Sequence, residues 1–499
     1  MTFLFESPRE QNLIREISKF AKKRRIKLYL VGGIVRDMLL KREKENLDID
    51  FCLRNQAISF AKALAREIRA GFVLLDKEHG SCRLVKKIEK SVYTLDFTDF
   101  RGKTLEDDLL HRDFVINAMS MELDKVLNAR PTLSDKDLDG LIIDPYGGRR
   151  DLKSKTIRAV NKKAFDEDPL RILRAFSLAI LFGFTIDKET IKLIKLKCRK
   201  LSGVSYERIR DELFKIFHQP GSFNYLLDMD KLKILEIVIP EIGIMRGIKQ
   251  GPYHHLDVWK HTLETIKQLE DLLVGLKKNK EIQEYLNEVI SSDRKRLALI
   301  KLAALLHDIG KPKALRREKG KTIFHGHERI GRDMAENIVR YLKLSNDESD
   351  SLSKMVFLHL RPGYLADNEE VTPRAIFRFF RDAGQESVSI LLLSIADQRA
   401  TRGPLTSKET RLQHERVNLD LIKENFRRRK EKKPERFITG DDLIKEFKLE
   451  PSPTIGKILR ELEELQAIGK IKTKKEAFSA ARKFMDKSQK EVICSKSKK

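Results

Sequence analysis

The chain has 499 residues, a length that suggests about three domains. Hydrophobic residues make up 41% and charged residues 35%, so each domain can bury a core beneath a strongly charged surface. The 101 lysines and arginines exceed the 75 aspartates and glutamates by 26 charges, which favours a polyanionic partner, and nucleic acid above all. A ribosomal-type or membrane-surface protein could share this balance, so charge alone does not decide the function.

The cysteines argue against a disulfide framework. Cys52, Cys82, Cys198 and Cys494 lie far apart and form no CxxC pair, which also excludes a common type of structural zinc site. The N-terminus has no basic start and no sustained apolar stretch, so a secretory signal is not predicted. The most apolar helix, near Ser387–Ala396, is shorter than the roughly 20 apolar residues that a bilayer requires. We expect a cytoplasmic protein with neither a membrane partner nor a disulfide partner.

The first 150 residues combine strand and helix patterns. An apolar strand at 26–31 ends at a glycine pair and is followed by a helix at 34–41. Further strands are predicted at 47–53, 72–75, 81–88 and 91–100, and a helix at 59–69. The last strand alternates between apolar and polar residues, and the turn at 144–148 closes the domain. We therefore predict an α+β head domain over residues 1–150.

Helical periodicity dominates from residue 151 onward. Helices are predicted at 168–182, 206–218, 256–276, 296–308, 327–344, 373–382, 388–400, 442–449 and 455–465. The charged run 427–436 is either a solvated linker or a phosphate-contacting patch, and residues 483–499 are expected to be a frayed tail. We divide this part into a helical neck (151–240), a second helical domain (241–425) and a basic C-terminal module (426–499).

Glycines and carboxylates in the head point to phosphate chemistry. Gly32 and Gly33 let backbone amides approach a triphosphate, although a glycine pair alone is often a simple turn. Asp48 and Asp50 stand two residues apart on a strand, so their carboxylates share one face and suit Mg²⁺. Asp96, on the polar face of a later strand, would complete a three-carboxylate catalytic cluster for in-line displacement with two metal ions. The alternative is that these aspartates are the exposed face of an edge strand.

Four motifs occur in order along the chain. They are Gly32–Asp37 with Asp48–Asp50, then Arg112–Ala118, then Asp144–Gly148, then Glu167–Ala175. This series resembles the polymerase-β-like nucleotidyltransferases, and specifically the bacterial class II family of CCA-adding tRNA nucleotidyltransferases and poly(A) polymerases. The resemblance implies a head with a mixed sheet, and metal binding by the Asp48–Asp50 pair. The positions that it implies for nucleotide binding are Gly32, Gly33, Arg36, Arg112, Asp113, Asn117, Asp168, Arg171 and Arg174.

Two of these residues are predicted to read the nucleobase. Asp168 and Arg171 would be neighbours at i and i+3 on one helix face. A carboxylate beside a guanidinium can imitate a Watson–Crick partner for cytosine or adenine, so no template strand would be needed. The alternative is an ordinary ion pair on a helix surface.

The chain departs from the family pattern in two places. His111 and Val115 stand where the family usually has arginine and threonine. The segment 100–110 is short, whereas enzymes that add all of CCA usually have a longer flexible segment there. A short segment resembles the CC-adding members, which leave the terminal A to a partner enzyme, although other branches of the family vary here too.

Histidines in the second helical domain form another ordered pattern. A single histidine, an adjacent His-Asp pair and a distant aspartate resemble the HD superfamily of metal-dependent phosphohydrolases, and two further histidines match members with a second metal. These residues are His261, His307, Asp308, Asp397, His327 and His359. The donors suit a divalent transition metal that activates water. The alternative is that they cap or bridge packed helices without binding metal.

The C-terminal segments 438–444 and 453–459 resemble the family's final module, which rests against tRNA, although each also fits capping and turn chemistry. The sequence thus predicts an enzyme that adds CMP, and in a broader version also AMP, to tRNA 3′ ends from CTP and ATP with Mg²⁺. The tRNA would be held through the shape and phosphates of its duplex arms. The alternatives are a poly(A) polymerase, a phosphohydrolase whose head only binds RNA, and a non-catalytic RNA-binding protein.

Overall fold

The computed structural model describes residues 7–42, 48–89, 91–129, 135–367, 371–431 and 435–496. The chain divides into two compact units, Met1–Val238 and Ile239–Lys499. Within the described ranges, every helix is too short or too polar to cross a membrane.

A mixed sheet of seven strands forms the centre of the first unit. Its strands are β1 (Tyr29–Val31), β2 (Asp48–Leu53), β3 (Gly71–Asp76), β4 (Ser81–Ile88), β5 (Ser91–Asp99), β6 (Ser120–Glu122) and β7 (Ile142–Ile143). They lie in the order β3-β4-β5-β2-β1-β6-β7, with β2 and β5 parallel and the other neighbours antiparallel. The predicted α+β head with a mixed sheet is confirmed.

Thirteen helices of the described part of the first unit surround this sheet or form its helical extension. They are α1 (Pro8–Lys23), α2 (Gly33–Leu39), α3 (Ala57–Glu67), α4 (Leu105–Leu110), α5 (Leu123–Asn128), α6 (Asp135–Leu141), α7 (Gly148–Lys153), α8 (Ala164–Glu167), α9 (Arg171–Phe182), α10 (Lys188–Lys197), α11 (Tyr206–Phe217), α12 (Ser222–Lys231) and α13 (Ile234–Val238). A parallel pair, β8 (Thr156–Ile157) and β9 (Thr185–Ile186), links the start of this extension.

Stacked aromatic side chains form the core on one side of the sheet. The rings of Phe51 and Phe97 are parallel, with centroids 4.9 Å apart, and Phe60 of α3 contacts Phe97 at 5.6 Å. Because successive strand residues point to opposite faces, burial of these rings directs the intervening polar residues of β2 and β5 to the other face. The apolar residues of the alternating β5 sequence thus face the core, and its polar residues face the opposite side of the sheet.

The second unit is helical, as predicted. Its helices are α14 (Val258–Gly275), α15 (Lys280–Asn287), α16 (Arg296–Leu306), α17 (Lys311–Ala314), α18 (His327–Tyr341), α19 (Asn346–Leu358), α20 (Arg361–Ala366), α21 (Pro373–Ala383), α22 (Ser387–Ala400), α23 (Lys408–Lys430), α24 (Gly440–Phe447), α25 (Pro453–Ala467) and α26 (Lys474–Lys496). Two small hairpins pair β10 (Val289–Ser291) with β11 (Arg294–Lys295), and β12 (Arg316–Glu318) with β13 (Lys321–Ile323). α16 is apolar around nearly its whole circumference, and α22 is apolar except for small serines as far as Ala396, which is why both are buried there.

Three predicted segments differ from the structure. The helix predicted to begin at Asp168 begins at Arg171, because the proline at 169 disfavours helical geometry in the residue before it. The first part of the charged run 427–436 continues α23 to Lys430 and is therefore not a linker, while residues 432–434 lie outside the described residues. The expected frayed tail is helical as far as Lys496, and the last three residues lie outside the described residues.

Candidate active site

A cleft of about 610 Å³ opens on the polar face of the sheet in the first unit. It brings together residues that are up to 176 positions apart in sequence, from Gly32 to Arg208 of α11. The predicted site residues that line it are Gly32, Gly33, Arg36, Asp48, Asp50, Arg112, Asp113, Asn117, Asp168, Arg171 and Arg174.

The glycine turn allows backbone to approach the carboxylates. Gly32 has φ +72°, which glycine adopts without strain. A Cβ atom at this position would lie 3.4 Å from the Oδ2 atom of Asp50 and 3.5 Å from the Nη1 atom of Arg112. A larger residue would therefore occupy the space directly beside the acidic pair.

The predicted trio of carboxylates is only partly present in the cleft. Asp50 and Asp96 are direct neighbours in the parallel register of β2 and β5, and Asp48 lies one step along the same face. Asp96, however, is held by Arg83, whose Nε and Nη2 atoms each donate a hydrogen bond to it over 2.8 Å. Asp96 does not line the cleft. Its predicted role as the third carboxylate of the cluster stays a prediction, and in this structure Arg83 of the neighbouring strand is its partner.

A buried hydrogen-bonded chain connects α2 with α9. Arg36 donates to Asn117 over 2.6 Å, Asn117 donates to Asp113 over 2.9 Å, and Arg174 donates to the other oxygen of Asp113 over 2.7 Å. Burial opposes ionisation of Asp113, but Arg174 and Asn117 outweigh it and lower the pKa of this carboxyl to about 2. The network fixes four of the predicted nucleotide-binding residues in one wall of the cleft.

Arg112, the cation beside the acidic pair, is also held by a carboxylate. Arg112 donates from Nη2 to Asp108 over 3.1 Å, four residues earlier on α4. Burial disfavours its charge, but Asp108 and then Asp50 overcome this and raise the pKa of Arg112. Arg112 therefore stays charged beside the acidic pair.

The two predicted base-reading residues do not form the predicted pair. Asp168 has extended backbone between α8 and α9, and its carboxylate accepts hydrogen bonds from Arg208 over 2.8 Å and from the Leu170 amide over 3.2 Å. Arg171 is 7% exposed and donates to three backbone carbonyls at 2.6, 3.1 and 3.2 Å. The prediction that they share one helix face is wrong, but both side chains line the cleft.

Sequence reasoning missed three charged residues that hold the site. Asp108 could have been found, because it stands one helical turn before Arg112. Arg83 and Arg208 carried no usable signal, since each reaches its partner across the fold, 13 and 40 residues away.

The predicted histidines and aspartates of the second unit converge in one buried cluster. The cluster contains two sets of three potential ligand residues, and within each set the ligand atoms lie within 4.8 Å of one another. The first set is His261, His307 and Asp397, and the second is Asp308, His327 and His359. All six residues that resemble the HD pattern are present. They come from α14, from the turn after α16, from α18, from the end of α19 and from α22.

Asp308 lies between the two sets. Its Oδ2 atom is 3.2 Å from the Nε2 atom of His307 and 3.6 Å from that of His261. Its Oδ1 atom is 3.5 Å from the Nε2 atom of His327 and 3.7 Å from that of His359. One carboxylate thus faces imidazoles on both sides, and its two oxygens could serve two neighbouring cations.

Backbone carbonyls orient three of the histidine rings. The Nδ1 atoms of His307, His327 and His359 lie 2.7 to 2.9 Å from backbone carbonyls. A carbonyl can only accept, so each Nδ1 atom carries a proton, and in the neutral form of such a ring the Nε2 atom presents a lone pair. These three Nε2 atoms are buried and have no hydrogen-bond partner within the part of the chain that the structure describes. Burial, followed by the two neighbouring imidazoles, lowers the pKa of His359 to about 3, which keeps it neutral.

Further residues around this cluster were not predicted. Lys311 lies 2.6 Å from the Oδ2 atom of Asp308 and also donates to Gln250 over 2.6 Å. Burial opposes the charge on Asp308, but His307 and Lys311 keep the pKa of its carboxyl well below the usual range. The ring of His254 packs edge-on against His261 at 4.8 Å. Lysine three residues after an aspartate was a readable signal, whereas His254 and Gln250 lie on an irregular loop.

Glycine also shapes the cluster through a close backbone contact. A Cβ atom on Gly310 would lie 2.2 Å from the carbonyl oxygen of His327 and 2.5 Å from the amide nitrogen of Gly331. Only glycine therefore allows the turn after α16 to rest directly on the first turn of α18.

The cleft and the sheet define a nucleotidyltransferase head, and comparisons with protein families agree. Residues 28–158 match the poly A polymerase head domain, residues 183–245 match the "Probable RNA and SrmB-binding site of polymerase A", and residues 323–481 match tRNA nucleotidyltransferase domain 2. The resemblance read from the four motifs is confirmed, and the protein is a nucleotidyltransferase of the tRNA nucleotidyltransferase and poly(A) polymerase type.

Its relatives narrow the class. An A-adding tRNA nucleotidyltransferase of Deinococcus radiodurans is 29% identical, over 92% of this chain and 96% of its own. A CC-adding tRNA nucleotidyltransferase of Thermus thermophilus is 28% identical, over 90% of this chain and 91% of its own. The CCA-adding enzyme of Thermotoga maritima, solved with tRNA, shares the fold at a TM-score of 0.63 and 23% identity, with 96% of each chain covered.

Proposed function

We propose that the protein transfers CMP from CTP to the 3′ end of tRNA, with release of pyrophosphate. The observation that carries this proposal is the placement of Asp48 and Asp50 on one strand face, opposite the Gly32 turn, in the cleft that the nucleotide-binding positions line. Relatives that add CC or A to tRNA support the substrate class. The excess of basic residues favours binding of tRNA phosphates.

The acidic pair fits magnesium. Carboxylate oxygens are the ligands that Mg²⁺ prefers, and the absence of a side chain at Gly32 leaves room beside Asp50. When bound, the metal would neutralise triphosphate charge and make the RNA 3′-hydroxyl a better nucleophile. Asp48 and Asp50 are its proposed ligands, and Asp96 would join them only after releasing Arg83.

The remaining residues of the cleft would bind and orient the nucleotide. Arg36, Arg112 and Arg174 present cations that suit a triphosphate, and Asp113 and Asn117 keep two of these guanidinium groups in place. Asp168 and Arg171 are proposed to face the nucleobase, where a carboxylate and a guanidinium discriminate cytosine and adenine from uracil and guanine. Because the selecting groups belong to the protein, no template is required.

We propose that addition stops after two cytidines. The segment 100–110 forms a tight turn and the short helix α4, which is capped by Thr104 and Asp107, and it is not a long flexible loop. The Asp107 side chain also fills the space that a Cβ atom on Gly102 would need, at 2.3 Å. A rigid short segment supports CC addition over complete CCA addition.

We also propose that the protein works in a reducing cytosol, which suits the three buried free thiols.

One assay tests both levels of this proposal. Purified protein is given tRNA that ends at the discriminator base, or tRNA that already ends in CC, with CTP and ATP separately and together, and the product ends are sequenced. We expect two cytidines on the first substrate and no adenosine on either. Complete CCA would refute the CC limit, adenosine on the second substrate alone would indicate an A-adding enzyme, and a long adenylate ladder would indicate a poly(A) polymerase.

A second activity is proposed for the cluster of the second unit. The observation that favours it is the set of buried Nε2 atoms of His307, His327 and His359, which lack hydrogen-bond partners within the described residues and face one carboxylate. Imidazole and carboxylate donors fit a divalent transition metal, which would supply an activated water for hydrolysis of a phosphoester. Residues 241–425 would then be an HD phosphohydrolase domain, and a phosphate-ended tRNA fragment is the proposed substrate class.

The C-terminal module at 426–499 is proposed to contact tRNA. α24, α25 and the described start of α26 share a small core of their own, which includes Leu443, Ile458 and Ala481. The surface around the end of α23 is rich in arginine, with Arg427, Arg428 and Arg429 in its last turn. Removal of residues 435–499 should weaken tRNA binding and reduce its salt dependence, without changing the nucleotide preference.

A further inference from the structure

His111 occupies a place in the cleft where the family motif usually has arginine. It directly follows α4, lines the cleft and is partly exposed to it. Its Nδ1 atom lies 3.0 Å from the Oε1 atom of Glu167, at the end of α8. A side chain of the head motif thus contacts the segment that precedes the base-facing residues.

The contact belongs to a closed ring of interactions. The Oε2 atom of Glu167 lies 3.4 Å from the Nη1 atom of Arg171, and the Nη2 atom of Arg171 donates to the backbone carbonyl of His111 over 2.6 Å. The side chain of His111 therefore holds Glu167, Glu167 holds Arg171, and Arg171 returns to the backbone of His111. Two further bonds from Arg171, to the backbone carbonyls of Ala164 at 3.1 Å and Arg112 at 3.2 Å, brace the same wall.

Arg171 depends on these partners for its position. Its guanidinium is almost fully buried and burial lowers its pKa, while the carboxylates of Asp113 and then Glu167 raise it and so stabilise its charge. Glu167 is the carboxylate that contacts it directly. A change that releases Glu167 would let the guanidinium shift, and small displacements of groups that orient a substrate have large kinetic effects.

We propose that His111 is a positioning residue for nucleotide selection, which acts by holding Glu167 and, through it, Arg171 against the nucleobase side of the cleft. The proposal rests on the function proposed above. His111, which stands where the family usually has arginine, would thus help to select the nucleotide. A glutamine at this position can still donate a hydrogen bond to Glu167, whereas phenylalanine keeps the ring shape and cannot.

The test compares His111→Phe with His111→Gln in single-nucleotide addition to tRNA. Discrimination is measured as the ratio of kcat/KM for CTP to kcat/KM for UTP. We expect His111→Phe to lower this ratio about tenfold, and His111→Gln to keep most of it. In the double variant His111→Phe with Glu167→Gln, the loss should be no larger than in the more impaired single variant, because both changes break the same ring.

His79 offers a matched control. It also lines the cleft and is paired with a carboxylate, since its Nδ1 atom lies 2.8 Å from Asp76, but it belongs to the turn between β3 and β4. His79→Phe should leave the discrimination ratio unchanged. Equal loss of rate with CTP and UTP in His111→Phe, an unchanged ratio, or equal effects of His111→Phe and His79→Phe would each overturn the proposal. Failure of the unaltered protein to add any nucleotide would instead refute the proposed function.

Discussion

The head cleft and the histidine cluster differ in whether their charged and polar groups have partners within the protein. In the cleft, most charged groups already have protein partners, such as Asp113 with Arg174 and Arg112 with Asp108. In the cluster, buried imidazole nitrogens face a carboxylate without hydrogen-bond partners among the described residues. The charged groups of the first site are paired before a charged substrate enters, whereas the second site presents nitrogen and oxygen atoms that the proposed metal would bind. Unpaired buried donors and acceptors are costly, so their concentration at one place indicates a missing partner.

The two sites also belong to different compact units. A single substitution in one site should therefore abolish the activity of that site and leave the activity of the other unchanged.

The largest expected effect is on the head cleft. Asp50→Asn should reduce nucleotide addition by about a thousandfold, because the amide cannot supply the negative charge that a magnesium ligand provides. The measurement is single-turnover addition of CMP to tRNA. Phosphoesterase activity and metal content of the second unit should be unchanged in this variant. Parallel loss of both activities would show that the sites are not independent.

The second effect concerns the histidine cluster. His307→Ala, and likewise Asp308→Ala, should lower the affinity for a divalent transition metal by more than about a hundredfold and abolish metal-dependent phosphoesterase activity. Metal binding is followed by calorimetry on the full chain, and hydrolysis on a 2′,3′-cyclic phosphate. Addition of CMP should be retained. The matched control is His325→Ala, which changes a histidine just before α18 that is not among the six clustered residues. Unchanged metal binding in His307→Ala would identify the cluster as a purely structural element.

A third effect separates stability from chemistry. Asp113 has a pKa of about 2 in the folded protein, below the ordinary value of about 3.9, so its ion pair stabilises the fold above pH 4 and loses this contribution as the pH falls towards 2. Asp113→Asn should lower the free energy of unfolding by about 2 kcal/mol at pH 7 and by about half as much at pH 3.

Urea unfolding at the two pH values measures this difference. Asp211→Asn, which changes a half-exposed aspartate on α11, is the control and should have almost no effect at either pH. An equal cost of Asp113→Asn at both pH values would mean that charge is not the cause.

The smallest effect tests the unexpected partner of Asp168. Arg208→Gln should raise the KM for CTP about threefold, because the ion pair is half exposed and the carboxylate keeps its bond to the Leu170 amide. Steady-state kinetics measure this change. Arg210→Gln, two residues further along α11, is the control and should leave KM unaltered. A larger effect of the control would assign the change to the stability of α11.

The sequence contained most of the fold but less of the site. Alternation along β5 and the apolar length of α16 sufficed to place Asp96 on a polar face and His307 at the end of a buried helix, because both follow from local periodicity. The position of Asp168 was also accessible, since the proline after it excludes it from the helix. The capture of Asp96 by Arg83 was not accessible, because it depends on which strands become neighbours in the sheet.

The close contact at Gly310 has a consequence for how such domains are recognised. A single methyl group there would force apart the two segments that contribute His307, Asp308 and His327, while every one of the six proposed ligands stayed in the sequence. Two chains could thus carry identical ligand sets and differ in whether a cation fits. Intact ligand residues are therefore insufficient to separate a working copy of this cluster from a degenerate one, and the glycine that follows Ile309 deserves equal weight.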